Sequence, residues 1–287
     1  MVQGITRHVM IALSRYIKSF APFALLIFGL SLLIIARLYF TKFTYGIRTQ
    51  TLRVTSPKQI VRVNSDYVVP ILYTQVNGLA GLPVHEAKIS FISAVLPAVL
   101  VAKHEIEMLK VRLDELESNG SWEHEDSTFY QSMRKKFKGK GISEMQARIG
   151  TLPTSIVIAQ AAVESGWGQS RFFLQGNNLF GVWSFDSKEP RIAAGEARGR
   201  KTVYLKSYKN MSESIINYFE ILSSSPAYEG LRTARSGSTD PFELLPHLIN
   251  FSERRRAYTR QLRTVIEQNN LTLYDTYQVD PDYIFEK

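Results

Sequence analysis

The sequence predicts an α+β chain, mainly helical with a small β-hairpin, set behind an N-terminal transmembrane helix. Three observations point there. Residues 20–36 (FAPFALLIFGLSLLIIA) form an unbroken apolar run. Segments between 84 and 269 repeat apolar residues at the three- and four-residue spacing of helices. One polar, glycine-containing stretch, 184–202, is followed by strand-like alternation in TVYLKSY at 202–208.

Charge supports that division. Residues 1–65 hold nine Lys or Arg and no Asp or Glu, which leaves 26 basic residues to face all 26 acidic ones in 66–287. The net charge of +9 therefore belongs to the N-terminal end. A formally neutral main domain argues against nucleic acid as a partner. The chain has no Cys, which excludes disulfides and thiolate metal sites, and its five His are scattered without ligand spacing. No metal or cofactor is implied.

In chain order, residues 1–19 form a short cytoplasmic N-terminus and 20–40 a signal anchor. The 17 apolar residues are near the short limit for a span, and the Leu-Tyr-Phe beyond Arg37 lengthens it. No small-x-small cleavage site follows, so the anchor is expected to be retained. Basic residues flank both sides, and their distribution does not orient the span. Residues 41–66 are expected to be a basic juxtamembrane linker, and 67–142 a helical lead-in that opens with an edge strand carrying Pro70. One or two long helices cover 84–117, where Pro97 kinks or splits the path. A further helix covers 128–137, and Ser143 with Gln146 caps a short one. Residues 211–222 form an amphipathic helix behind Asn210 or Ser212, and 239–250 and 254–269 are helices. Residues 271–287 are a tail of no clear period.

The central stretch is LPTSIVIAQAAVESGWGQSRFFLQGNNLFGVW at 152–183. Pro153 suits a first helical position, and residues 156–163 are apolar on every face except at Gln160, as a buried helix requires. Glu164 is one turn beyond Gln160, on the same side, and Ser165-Gly166 ends the helix just after it. Desolvation and the negative end of the helix dipole both disfavour its carboxylate, which suits a general acid. The bland alternative is a buried Glu satisfied by a neighbouring donor. Trp167, Asn177, Asn178 and Phe180 lie among glycines downstream. Aromatic faces beside amides suit a sugar polymer; the alternative is a loop packed on its own rings.

AQAAVESGWGQSRF followed by GNNLFG resembles the glucosaminidase domain of peptidoglycan hydrolases, glycoside hydrolase family 73, which the flagellar rod-cap hydrolases share. AKISFISAVLPAVLVAKHEIEMLKVRL at 87–113 is similar to the helical lead-in of the Bax-type members, and FSERRRAY at 251–258 extends the match. The resemblance implies a lysozyme-like fold with a catalytic domain over 143–270. It also implies cleavage of the GlcNAc-(1→4)-MurNAc bond of peptidoglycan on the extracytoplasmic side of the bacterial cytoplasmic membrane.

The same resemblance makes Glu164 the proton donor and places a second carboxylate on the hairpin. Glu196 is favoured there over Glu189 and Asp186, because it precedes the basic ARGRKTVYL segment where the hairpin should return. A route through the substrate's own acetamido oxygen needs no second carboxylate. Tyr204, Tyr228 and Tyr258 are the further aromatic carry-overs. Phe251 stands where the family usually has an active-site Tyr, so a hydroxyl is lost unless Tyr258 turns inward. A lytic transglycosylase or muramidase of similar fold, and a tethered glycan-binding protein, are the competing readings.

Overall fold

The computed structural model describes residues 45–119, 121–195 and 202–286. The apolar run at 20–40 and Glu196 lie outside the described residues. Four short strands, Tyr45–Ile47 (β1), Gln50–Val54 (β2), Tyr67–Val68 (β3) and Ile71–Val76 (β4), lead into the 35-residue helix Val84–Ser118 (α1). Every residue from Ser90 to Ala102 is buried, so this part of α1 is apolar all round because other elements cover it all round. Each buried Val, Leu, Ile or Phe side chain contributes about 1.5–3 kcal/mol. α1 is long and apolar enough to cross a membrane, yet 78% of its apolar window is buried within this domain. Pro97 sits inside the helix and does not divide it.

Around α1 pack His124–Phe137 (α2), Ile142–Arg148 (α3), Thr154–Ser165 (α4) and Arg171–Gly176 (α5). α2 begins four residues earlier than its apolar pattern suggests, because Glu123 and Asp126 form a reciprocal capping box. α3 has no Ser143 cap. Its Gln146 instead donates to the Lys110 carbonyl at 2.9 Å, tying α3 to α1. A three-stranded antiparallel sheet follows, from Trp183–Ser184 (β5), Arg191–Ala193 (β6) and Tyr204–Lys206 (β7), with β7 in the middle. The expected hairpin is therefore present with one more strand.

Met211–Ser224 (α6) is capped by Asn210, which accepts from Glu213 N–H at 3.1 Å. It buries Ile215, Phe219 and Leu222 and leaves Ile216 half-buried. Short turns follow through Glu229–Arg235 (α7) and Pro241–Leu244 (α8), then the amphipathic Arg256–Gln268 (α9). The helix expected over 239–250 is α8 plus a tighter 3-10 stretch, Leu245–Phe251, with Pro246 at its start.

Two segments depart from expectation. Residues 45–66 are not a coil linker. β2 runs parallel to β4 from Gln50↔Ile71 to Val54↔Val76 with a register shift between Leu52 and Arg53, and Val54 and Ile60 are buried. Residues 50–54 of the expected basic linker are a strand. Nor is 271–286 a loose tail. Gln278–Val279 (β8) pairs with β3, and Ile284–Glu286 (β9) pairs with β1. Asp275 accepts from Ser155 N–H at 2.7 Å and from Ser155 Oγ at 2.8 Å, capping the first turn of α4 from 120 residues away. A carboxylate so placed stabilises a helix by about 0.3–1 kcal/mol, and up to ~2 when partly buried. Strands of two or three residues whose partners lie over 200 positions away leave no local period in the sequence.

Candidate active site

The site begins where α4 ends. Gly166, Trp167 and Gly168 have φ of +60°, +56° and +80° in succession, a left-handed turn that stops the helix directly after Glu164 and Ser165. Ser165 Oγ accepts from Gly168 N–H at 2.9 Å and donates to the Ala161 carbonyl, which fixes the turn. A Cβ on Gly168 would lie 2.9 Å from Leu79 Cδ1 and Phe91 Cδ2, so glycine is required there for space as well as for φ. The Trp167 ring meets Phe91 of α1 edge-on at 5.6 Å, with Lys88 Nζ 4.8 Å from its centroid. Trp167 thus pins the turn to the long helix.

Glu164 is half-buried at the end of α4. Burial raises its carboxyl above the usual range, while a hydrogen bond from Tyr258 and the more distant Arg254 charge pull it partly back. α9 carries Tyr258 inward, and its ring is fully buried. The Tyr258 hydroxyl accepts from Gln160 Nε2 at 2.9 Å and reaches Glu164. On its other side Gln160 Oε1 accepts from the Tyr218 hydroxyl of α6. Four side chains from three helices thus form one buried chain of hydrogen bonds ending on the carboxyl.

Aromatic rings enclose it. Phe251 stacks on Tyr258 at 5.8 Å and 10°, and meets Tyr218 edge-on at 5.9 Å. Phe180 stacks on Tyr218 at 4.3 Å. Tyr228 is buried close enough to Tyr218 to act on it electrostatically. Phe251 therefore supplies ring area and no polar contact, and the hydroxyl that reaches Glu164 is that of Tyr258. The turn before α9 is strained: Arg255 has φ +52° and ψ −122°, a region that side chains rarely occupy, and is tied to Asn250. Tyr218 and the role of Gln160 went unassigned in the sequence. Their signal was available, since a buried Tyr or Gln on an apolar helix face needs a polar partner.

The paired amides do not face a ligand. Asn177 Nδ2 donates to the carbonyls of Thr74, Tyr208 and Lys209. Asn178 Nδ2 donates to Val182 and Lys206 carbonyls, and its Oδ1 accepts from Val182 N–H at 3.0 Å. Both side chains join backbone segments, Asn178 through its Nδ2 and Oδ1 and Asn177 through its Nδ2. Tyr204 lies on β7 with the Arg191 guanidinium 4.0 Å over its ring. Trp183 and Phe185, 6.3 Å apart, are the exposed rings of this sheet region. Glu189 pairs with Lys206 Nζ at 3.0 Å; burial raises its carboxyl, but Ser184 and Lys206 together outweigh that and hold it below the usual range. It is an ion-paired strut of the sheet.

A half-buried Glu at a helix end, its carboxyl raised by burial and set beside a tyrosine and packed aromatic rings, suits a glycoside hydrolase. Residues 139–271 match the glucosaminidase family, described as mannosyl-glycoprotein endo-beta-N-acetylglucosaminidase. That region is similar to glucosaminidase domains, and the chain has relatives among the Bax and FlgJ proteins. It is 24% identical to Protein bax of Escherichia coli K12 over 63% of this chain and 69% of that one. It is 25% identical to the peptidoglycan hydrolase FlgJ of Salmonella typhimurium over 47% of this chain and 46% of that one, so it spans about half of that relative's length. The solved glycoside hydrolase domain of Salmonella typhimurium FlgJ aligns at 27% identity, with a TM-score of 0.33, over 42% of this chain and 76% of that one.

Proposed function

We propose that the protein is an endo-β-N-acetylglucosaminidase that hydrolyses the GlcNAc-(1→4)-MurNAc bond of peptidoglycan, with Glu164 as general acid. The observation that carries this reading is the raised, half-buried carboxyl of Glu164 held by Tyr258. Its proton passes to the glycosidic oxygen as the C1–O bond breaks, and water adds its hydroxyl to C1 while its other proton goes to a base and so restores the acid. The sister relatives named as peptidoglycan hydrolases favour a wall polymer over a glycoprotein. Phe251 in place of Tyr does not argue for a binding protein, because Tyr258 supplies the hydroxyl at the carboxyl. The test is mass spectrometry of fragments released from purified sacculi by the detergent-solubilised full-length protein. New reducing GlcNAc ends are expected. Anhydro-MurNAc ends would make it a lytic transglycosylase, and no release would leave a glycan-binding protein.

Glu196 is the favoured second carboxylate, since Glu189 is committed to Lys206. Glu196→Gln is expected to slow cleavage about tenfold or more, and Glu189→Gln by less than about threefold, the usual loss for a group that only supports geometry being small beside the 10²–10⁴ of a proton-transfer group. Equal, mild losses would favour attack by the substrate's acetamido oxygen, checked on substrates lacking the N-acetyl group.

Residues 20–40 are read as a retained membrane anchor, with the domain on the extracytoplasmic side. Among the described residues the fold is already present from Tyr45, so residues 45–66 of the expected linker belong to the domain. Full-length chain should stay in membranes through alkaline extraction, because apolar burial holds a spanning helix. Recovery of a soluble mature form beginning near residue 40 would refute this.

A further inference from the structure

Gln160 is the only polar side chain in the apolar body of α4, completely buried between two tyrosines. A tyrosine hydroxyl has one proton to give and can accept at its oxygen. The Tyr258 oxygen already accepts from Gln160 Nε2, so that proton is not drawn back toward the amide. The amide is itself oriented, because its Oε1 takes the proton of the buried Tyr218 hydroxyl. Turning the amide over would face Nε2 to Tyr218 and let Oε1 claim the Tyr258 proton. Tyr218 is locked by stacking on Phe180, so the direction of the whole chain is set from the far side of the core.

We propose that Gln160 is a positioning residue for catalysis: its amide fixes the Tyr258 hydroxyl so that its single proton is directed at Glu164. This rests on Glu164 being the general acid. One carboxyl oxygen then accepts from Tyr258, and the other is left to hold the proton that goes to the leaving oxygen. The same Tyr258 proton stabilises the carboxylate that remains once the proton has left, in a buried site where that charge is otherwise disfavoured. The groups facing this chain are few. Tyr258 and Arg254 act on Glu164, Glu164 and Tyr218 act on Tyr258, and Tyr228 and Arg235 act on Tyr218.

The test uses the full-length protein with Gln160→Leu, Gln160→Glu and Tyr258→Phe, singly and combined. Gln160→Leu is expected to lower kcat about 10- to 100-fold with KM little changed, the scale on which misplaced catalytic groups act. The alkaline limb of its pH profile should move up, because a carboxylate without the Tyr258 proton binds its own proton more tightly. Gln160→Glu should shift that limb further, since a carboxylate at 160 would take the Tyr258 proton for itself. In the Tyr258→Phe background Gln160→Leu should not move the limb again. Thermal melts identify fully folded samples, and the pH limb is independent of the amount of folded enzyme, so a destabilised variant still reports. An unmoved limb in Gln160→Leu, or an equal shift with and without the Tyr258 hydroxyl, would overturn the proposal while wild-type cleavage stands. Absence of cleavage by the wild type would remove both this assignment and the function on which it rests.

Discussion

Glu164→Gln is expected to reduce cleavage of sacculi about 10²- to 10⁴-fold, the usual contribution of general acid catalysis. The amide has the shape of the acid and has no transferable proton. The same substitution should leave the fold intact, and the physics gives the sign of its effect on stability. Burial raises the Glu164 carboxyl in the folded state, with Tyr258 and Arg254 offsetting only part of the shift. The folded protein thus favours the protonated form. Glu164 contributes stability that is fully present below the ordinary carboxylate range and is lost as pH rises through its raised folded value. A neutral amide escapes that loss. Glu164→Gln should therefore be at least as stable as wild type near pH 7, with any advantage fading toward pH 4. Residual activity above a tenth of wild type would show that another group donates the proton. A melting temperature well below that of wild type at pH 7 would show that the carboxylate is a structural partner.

Much of this site was legible because its elements are local. The apolar run broken only at Gln160, the Glu one turn later and the glycines around Trp167 together specify a buried helix that stops at a carboxyl. α4 and the turn after it bear this out residue by residue. α1 was legible for the same reason, as a periodic segment with a single proline. What the sequence did not reveal depends on partners distant along the chain. Nothing near Asp275 says that it caps a helix beginning at Thr154, and nothing in residues 45–54 says that they pair with residues 71–76 and 284–286. Tyr218 joins Gln160 across 58 positions and Tyr258 joins it across 98. A one-dimensional pattern shows that such groups are buried, and only packing shows which of them meet.

The amides at 177 and 178 show the opposite error, in which residues suited to sugar recognition hold the backbone. Asn178→Leu is expected to lower stability by roughly 2–5 kcal/mol, because it removes the side-chain partner of the Val182 N–H and of the Lys206 carbonyl in a buried setting where each unsatisfied group costs about 1–3 kcal/mol. In a domain of this size each kcal/mol lowers Tm by about 2–4 °C, so a drop of roughly 4–20 °C is expected. The loss should be local before it is global. Asn178 joins the end of α5 to β5 and β7, so the Val182 amide should exchange with solvent much faster than amides of α1 in the same sample. Substrate affinity should follow the folded fraction and show no separate change. A variant that melts within two degrees of wild type, keeps its Val182 amide protected and loses glycan binding would return Asn178 to the role of a sugar-reading side chain.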